Sequence, residues 1–171
     1  MAEEWHDTLT AADLSLEVSR LHSMSRSIPD IPGYDLRDVL GTGAFGQVYR
    51  GTQKSTGQTV AVKVLFTVNE GLREEVRRLS QVADHPNIVT LVDANLDHDP
   101  PYLVTPYLPG SLQERVPASP NEANIMLVTQ WFESSARALQ FVHARGMLHC
   151  DLKPANILLG EDEQPRLVDF G

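Results

Sequence analysis

The sequence predicts an α+β fold in which a small antiparallel sheet with one helix precedes the start of a mainly helical portion. Three observations carry that reading. Tyr34 to Leu40, Gln47 to Gln53 and Gln58 to Phe66 each alternate apolar or β-branched residues and are parted by glycine-containing breaks, the pattern of an antiparallel meander. Between Glu70 and Val82 the spacing changes to Leu72, Val76 and Leu79, one face of a helix. After Pro109 and Gly110 comes the longest helical run. Ser119 is its predicted N-cap, Pro120 lies in its first turn and Glu122 completes a capping box.

Taken in order, residues 1–33 are set apart as a short amphipathic helix and a linker. Leu14, Val18 and Leu21 recur at helical spacing before Ser23, Ser25, Ser27 and Pro29 break the pattern. Residues 34–108 form the small lobe, with Ile88 to Leu91 and Tyr102 to Leu108 as its fourth and fifth strands. Residues 109–171 begin the second lobe. Ile125, Val128, Trp131, Phe132, Ala136, Leu139 and Val142 line the apolar face of the long helix, and Gly146 stops it. Met147 to Leu148, Ile157 to Leu159 and Arg166 to Val168 read as short strands between polar loops.

At 171 residues, 42% hydrophobic and 22% charged, the chain can build a sizeable core as one domain. Its formal net charge of −9 argues against nucleic acid or an anionic membrane surface as a partner, so any phosphate site must be built locally. Cys150 is the single cysteine, which rules out an intrachain disulfide and fits a reducing compartment. No basic stretch leads into an apolar core at the amino terminus, and no apolar run reaches spanning length. A cytoplasmic protein without a membrane segment is expected.

Four motifs carry chemistry. In GTGAFGQV, the missing side chains of Gly41, Gly43 and Gly46, followed by Val48, let backbone amides approach and cover nucleotide phosphates. A dinucleotide fingerprint would need a helix after these glycines, whereas Gln47 to Gln53 alternates like a strand. In VAVK, Ala61 and Lys63 share one strand face, from which Lys63 can reach phosphates. The next helix offers Glu74 and Glu75 as partners for it. Glu75 is preferred, because Leu79 lies one turn further on the same face, but the adjacent Glu74 leaves the choice open. HCDLKPANILL then supplies His149, Asp151, Lys153 and Asn156, and the last motif is Asp169, Phe170 and Gly171. Separate motifs in this order multiply against chance.

From about Tyr34 to Gly171 the chain resembles a Hanks-type serine/threonine protein kinase, most closely the bacterial-style members, and covers the front half of that fold up to the DFG motif. The resemblance implies a kinase-like fold with a five-stranded N-lobe, ATP and Mg2+ as cofactors, and a protein substrate with a serine or threonine acceptor. It makes Asp151 the group that orients and deprotonates the acceptor hydroxyl and Lys153 a neutraliser of charge on the transferring phosphoryl group. Lys63 and Glu75 become an ion pair, and Asn156 and Asp169 metal ligands. Leu40 and the glycines border the nucleotide. Val48, Ala61 and Leu158 hold the adenine ring, Thr105 is the gatekeeper, and Tyr107 and Leu108 follow Pro106 in the hinge. Leu79, Leu91, His149 and Phe170 stack as an internal spine.

Two departures accompany the resemblance. Cys150 stands where many members carry the arginine that pairs with a phosphorylated activation loop, so that switch is expected to be absent. The activation loop, the APE segment and the remaining helices would follow Gly171, and the 171-residue chain by itself is expected to be inactive. Two other readings stand beside protein phosphorylation: a non-catalytic module that binds nucleotide or a partner, and a small-molecule kinase. Lys153 and Pro154 make the latter less attractive.

Overall fold

The computed structural model describes residues 28–170 apart from 83, 117, 118 and 120. The predicted helix through Leu14, Val18 and Leu21 lies outside the described residues, as do Pro120 and Gly171. The first sheet is built from β1 (Tyr34–Gly43), β2 (Gly46–Gln53), β3 (Thr59–Leu65), β4 (Asp93–Asn95) and β5 (Tyr102–Pro106), in the order β1-β2-β3-β5-β4. Every pairing in it is antiparallel. Register fixes its two faces. Val48 pairs with Lys63 and Ala61 with Thr105, so these four share one face. Val60, Val62 and Val64 point the other way, into a core with Tyr34, Tyr49 and Val104.

Helix α1 (Glu70–Val82) has the predicted limits. Asn69 starts it, its side-chain oxygen accepting from the Leu72 N–H at 2.9 Å. The fourth strand differs from the expectation. Ile88 to Leu91 forms no strand; β4 starts at Asp93, where the Val92 N–H has already turned to the Val104 carbonyl. The reason is that Ile88 is buried in the second core rather than the first. The backbone around it is claimed by Leu167, whose N–H donates to Asn87 O at 2.9 Å and whose carbonyl accepts from the Val89 N–H at 3.0 Å. The Asn87 side chain adds a 2.8 Å bond to the Pro165 carbonyl. The fifth strand stops at Pro106, two residues before its predicted end.

The second half begins with β6 (Gly110–Ser111) and a one-turn helix α2 (Leu112–Arg115), neither foreseen. Glu114 reaches back to the Ser111 N–H at 2.9 Å, an S-x-x-E signature present in the sequence. Helix α3 spans Glu122–His143. Its N-cap is Asn121 rather than Ser119: the Asn121 side chain accepts from the Asn124 N–H at 2.9 Å and its carbonyl receives the first helical bond, from Ile125. The buried face is narrower than the expected one, with Val128 and Leu139 of that face packed against the second core. Trp131, Ala138 and Val142 are buried, whereas Ile125 is 55% and Phe132 53% exposed and Ala136 is exposed. The buried Trp131 satisfies its indole by donating Nε1 to the Glu163 carbonyl at 2.9 Å.

Gly146, at φ +73°, ends the helix as predicted, with its N–H on His143 O and the Met147 N–H on Val142 O, the two bonds of a Schellman turn. Met147 and Leu148 form no strand. A 3-10 turn over Pro154–Asn156 then leads into β7 (Ile157–Leu159) and β8 (Pro165–Leu167), which join β6 in a three-stranded sheet ordered β6-β7-β8. Its apolar side packs on α3 to close the second core, which also takes in Val82 from the end of α1.

Candidate active site

The loop between α3 and β7 gathers three of the predicted residues. Asp151 Oδ2 accepts from Lys153 Nζ at 2.7 Å and from Asn156 Nδ2 at 2.9 Å, and the same Nδ2 holds the Asp151 carbonyl at 2.9 Å. Lys153 and Asn156 act against desolvation to hold the Asp151 carboxyl below its ordinary range, so it is an ionised acceptor at neutral pH. Asn156 is buried, while Asp151 and Lys153 are exposed. Before Asp151 the chain makes a tight turn, its N–H returning to His149 O at 2.8 Å with Cys150 between them at φ +61°. A non-glycine residue there costs roughly 1–3 kcal/mol, a local cost of the kind concentrated at functional loops.

The second cluster joins the two halves. Lys63 Nζ on β3 lies 2.5 Å from Asp169 Oδ1, just beyond β8. Asp169 is also in the left-handed region, at φ +53°. Glu75 stands half-buried nearby. Burial pushes its pKa up, with the Lys63 charge opposing and the Asp169 charge assisting. Glu74, the alternative, faces solvent and pairs with Arg77 and with Arg78, the latter at 3.1 Å. Of the two glutamates, only Glu75 is turned towards Lys63, yet the ion pair that Lys63 makes is with Asp169. Two residues separated by 106 positions leave no mutual signal in a sequence.

His149 and Phe170 stack with ring centroids 4.5 Å apart. Both His149 ring nitrogens are buried with no hydrogen-bond partner of good geometry among the described residues, and burial lowers the ring's pKa, which keeps it neutral. The remaining predicted residues border the space between the halves. Leu40 is exposed; Val48, Ala61 and Thr105 are half-buried on the Lys63 face of the sheet; Tyr107 and Leu108 lie between β5 and β6; Leu158 is half-buried on β7. A Cβ at Gly41 or Gly43 would meet nothing within 4 Å, whereas Gly46 is walled in by β3. A cavity of about 310 Å³ lies elsewhere, between His85, Val89, Pro106 and Arg166.

The protein kinase domain family matches residues 34–171, from the first residue of β1 through the DFG motif. The chain belongs to that family. This kinase domain is 40% identical over 144 residues to receptor-like kinase LIP2 of Arabidopsis thaliana, an alignment covering 78% of this chain and 26% of that protein. It is 36% identical over 155 residues to the phosphorylase b kinase gamma catalytic chain, liver/testis isoform, of Homo sapiens, covering 81% and 37%. Against ribosomal protein S6 kinase alpha-1 of Rattus norvegicus the identity is 32% over 180 aligned positions, covering 100% and 24%. The kinase domain thus spans between about a quarter and a little over a third of the length of these relatives. They come from plants and animals and lend no support to a bacterial-style subgroup. Among the described residues, no helix is long and apolar enough to cross a membrane.

Proposed function

We propose that the protein containing this kinase domain transfers the γ-phosphoryl group of ATP to serine or threonine hydroxyls of proteins. The observation that carries the proposal is the Asp151 carboxylate, ionised and fixed through Oδ2 by both Lys153 and Asn156. A carboxylate held in this way can orient an acceptor hydroxyl and take its proton, while Lys153, bonded to it, brings a positive charge to where the phosphoryl group would pass.

The donor set suits Mg2+. Asp169 presents carboxylate oxygens and Asn156, whose Nδ2 is spent on Asp151, has its amide oxygen as the end suited to a cation, both hard ligands. The open space over Gly41 and Gly43 suits phosphates against backbone amides. When bound, the metal supplies neutralisation of phosphate charge. Lys63 on β3 would position the phosphates, Glu75 would take over as the Lys63 partner once Asp169 is engaged by metal, and Leu40, Val48, Ala61, Thr105, Tyr107, Leu108 and Leu158 would enclose the adenine.

Serine/threonine specificity rests on the Lys153–Asn156 segment and on a relative named as probable serine/threonine-protein kinase PBL5, of Arabidopsis thaliana. One observation favours a second reading, nucleotide binding without transfer: Lys63 is engaged with Asp169, a residue the transfer reaction needs for metal. The test is incubation of the full-length protein with magnesium-ATP and casein, followed by phosphoamino acid analysis. Phosphoserine or phosphothreonine is expected, falling about 10²- to 10⁴-fold in Asp151→Asn. ATP binding without transfer would favour the second reading, and transfer indifferent to Asp151 would overturn the first.

A further inference from the structure

On the face of the β1–β2 hairpin opposite Val48 and Lys63, three side chains form a continuous hydrogen-bonded chain. Tyr49, 2% exposed and part of the first core, donates its hydroxyl to Gln47 Oε1 at 2.6 Å. Gln47 in turn donates Nε2 to Thr42 Oγ1 at 3.1 Å. The geometry follows from the strands: Gln47 and Tyr49 are two apart on β2 and share a face, and Thr42 is the register partner of Gln47. One end of the chain is therefore anchored in the core and the other sits at the hairpin tip, between Gly41 and Gly43.

The tip needs such an anchor. The β1–β2 register shifts twice, between Leu36 and Val39 and between Val39 and Gly41, so the backbone ladder is interrupted just before the turn. Residues 41–45 are all exposed, Phe45 at 72%, and the two glycines have no side chains to pack.

We propose that Gln47 is a positioning residue for the nucleotide site, tying the tip of the glycine-rich hairpin through Thr42 to the buried Tyr49 and so setting its pitch over the phosphates. The inference rests on the kinase function proposed above. Without the tether the hairpin samples more orientations in the free protein, and nucleotide binding has to order it. Once phosphates hold the backbone amides, the tether is redundant. Its loss accordingly falls on KM for ATP and little on kcat. The expected factor is about three- to tenfold, the range of one hydrogen bond of ordinary net strength.

The test uses the full-length protein with four substitutions. Thr42→Val removes the acceptor at nearly constant shape, Thr42→Ser keeps it, and Gln47→Leu and Tyr49→Phe cut the chain at its middle and its root. Thr42→Val and Gln47→Leu are expected to raise KM for ATP with kcat within about twofold, and Thr42→Ser to behave as wild type. In the nucleotide-free protein, amide hydrogen exchange over residues 41–48 is expected to accelerate in Thr42→Val and not in Thr42→Ser. Combining Thr42→Val with Tyr49→Phe should be no worse than Gln47→Leu alone, because a chain is broken once. Wild-type KM and exchange in Thr42→Val, in a protein that transfers phosphate, overturns the tether. Absence of transfer and of ATP binding in the wild type overturns the kinase reading itself, and the exchange experiment still decides whether the hairpin is tied.

Discussion

Gly46 is the glycine of the hairpin whose replacement the structure prices most sharply. It opens β2, is buried, and pairs with Leu65 of β3. A Cβ there would run into the Val64 carbonyl oxygen, with the Val64 carbonyl carbon 3.1 Å away and Leu65 Cα 3.2 Å away. All three are backbone atoms of β3, so no rotamer change relieves the collision and β2 must lift off its neighbour. Overpacking of this kind costs about 1–3 kcal/mol, and a weakened ladder bond adds on the order of 1 kcal/mol. In a chain of this size each kcal/mol moves the melting temperature by about 2–4 °C, so Gly46→Ala is expected to lower Tm by roughly 4–16 °C. Gly41→Ala and Gly43→Ala are the controls. A Cβ at either meets nothing within 4 Å, so Tm should stay within about 2 °C while ATP affinity falls. Thermal unfolding by circular dichroism, with ATP titration alongside, separates the two effects. A Gly46→Ala protein melting with the wild type, or a Gly41→Ala protein melting as early as Gly46→Ala, would refute the reasoning.

Three further outcomes are expected. Arg166 holds the Asp162 carboxyl down to about 2. The folded value lies below the unfolded value of about 3.9, so the contribution is complete above that pH and lost as pH falls through about 2. Half of the Asp162 side chain is exposed, which discounts it to about 1 kcal/mol or less. Urea unfolding of Asp162→Asn should show that much less stability at pH 7 and a flatter profile between about pH 4 and pH 2. Glu75 has the opposite sign: burial raises its pKa, so its favourable contribution belongs to the protonated form and is lost as pH rises through the raised value. Glu75→Gln should be at least as stable as wild type at pH 7 in thermal melts, yet slower in phosphate transfer; a marked loss of stability would contradict that environment. Asn121→Ala should cost about 1 kcal/mol in urea unfolding and Ser119→Ala under about 0.5 kcal/mol, and the reverse order would return the cap to Ser119.

The sequence was most legible where one periodicity met one environment. Leu72, Val76 and Leu79 marked α1 to its end residues because a single face of that helix is apolar. It misled where an apolar run served a distant neighbour. Ile88 to Leu91 has strand composition, but Ile88 is buried against Leu167, and no local pattern reveals a partner 79 residues away. On α3, Phe132 and Ile125 are apolar without being buried, because they stand at the edge of the face that Trp131, Ala138 and Val142 set into the core. The choice between Glu74 and Glu75 was written in the chain all along: Arg77 and Arg78 stand three and four residues beyond Glu74 and mark it as the solvated one. The Lys63–Asp169 pair was not, because only the fold brings those residues together.

The docking of β8 against the loop after α1 has a mechanical consequence. The two halves are joined by the covalent passage through Tyr107–Pro109, by the backbone bonds of Leu167 to Asn87 and Val89, and by the Lys63–Asp169 pair. Val82, at the far end of α1, is set in the second core, so the helix is rooted among residues of the half that carries Asp169. Glu75 is seven residues up the helix from that root, a lever arm of about 10 Å, so that a tilt of α1 by roughly 10° would displace its carboxylate by about 2 Å. A small tilt of α1 about its rooted end would therefore change how strongly the Glu75 charge is felt at Lys63 while the backbone bonds of Leu167 stay made.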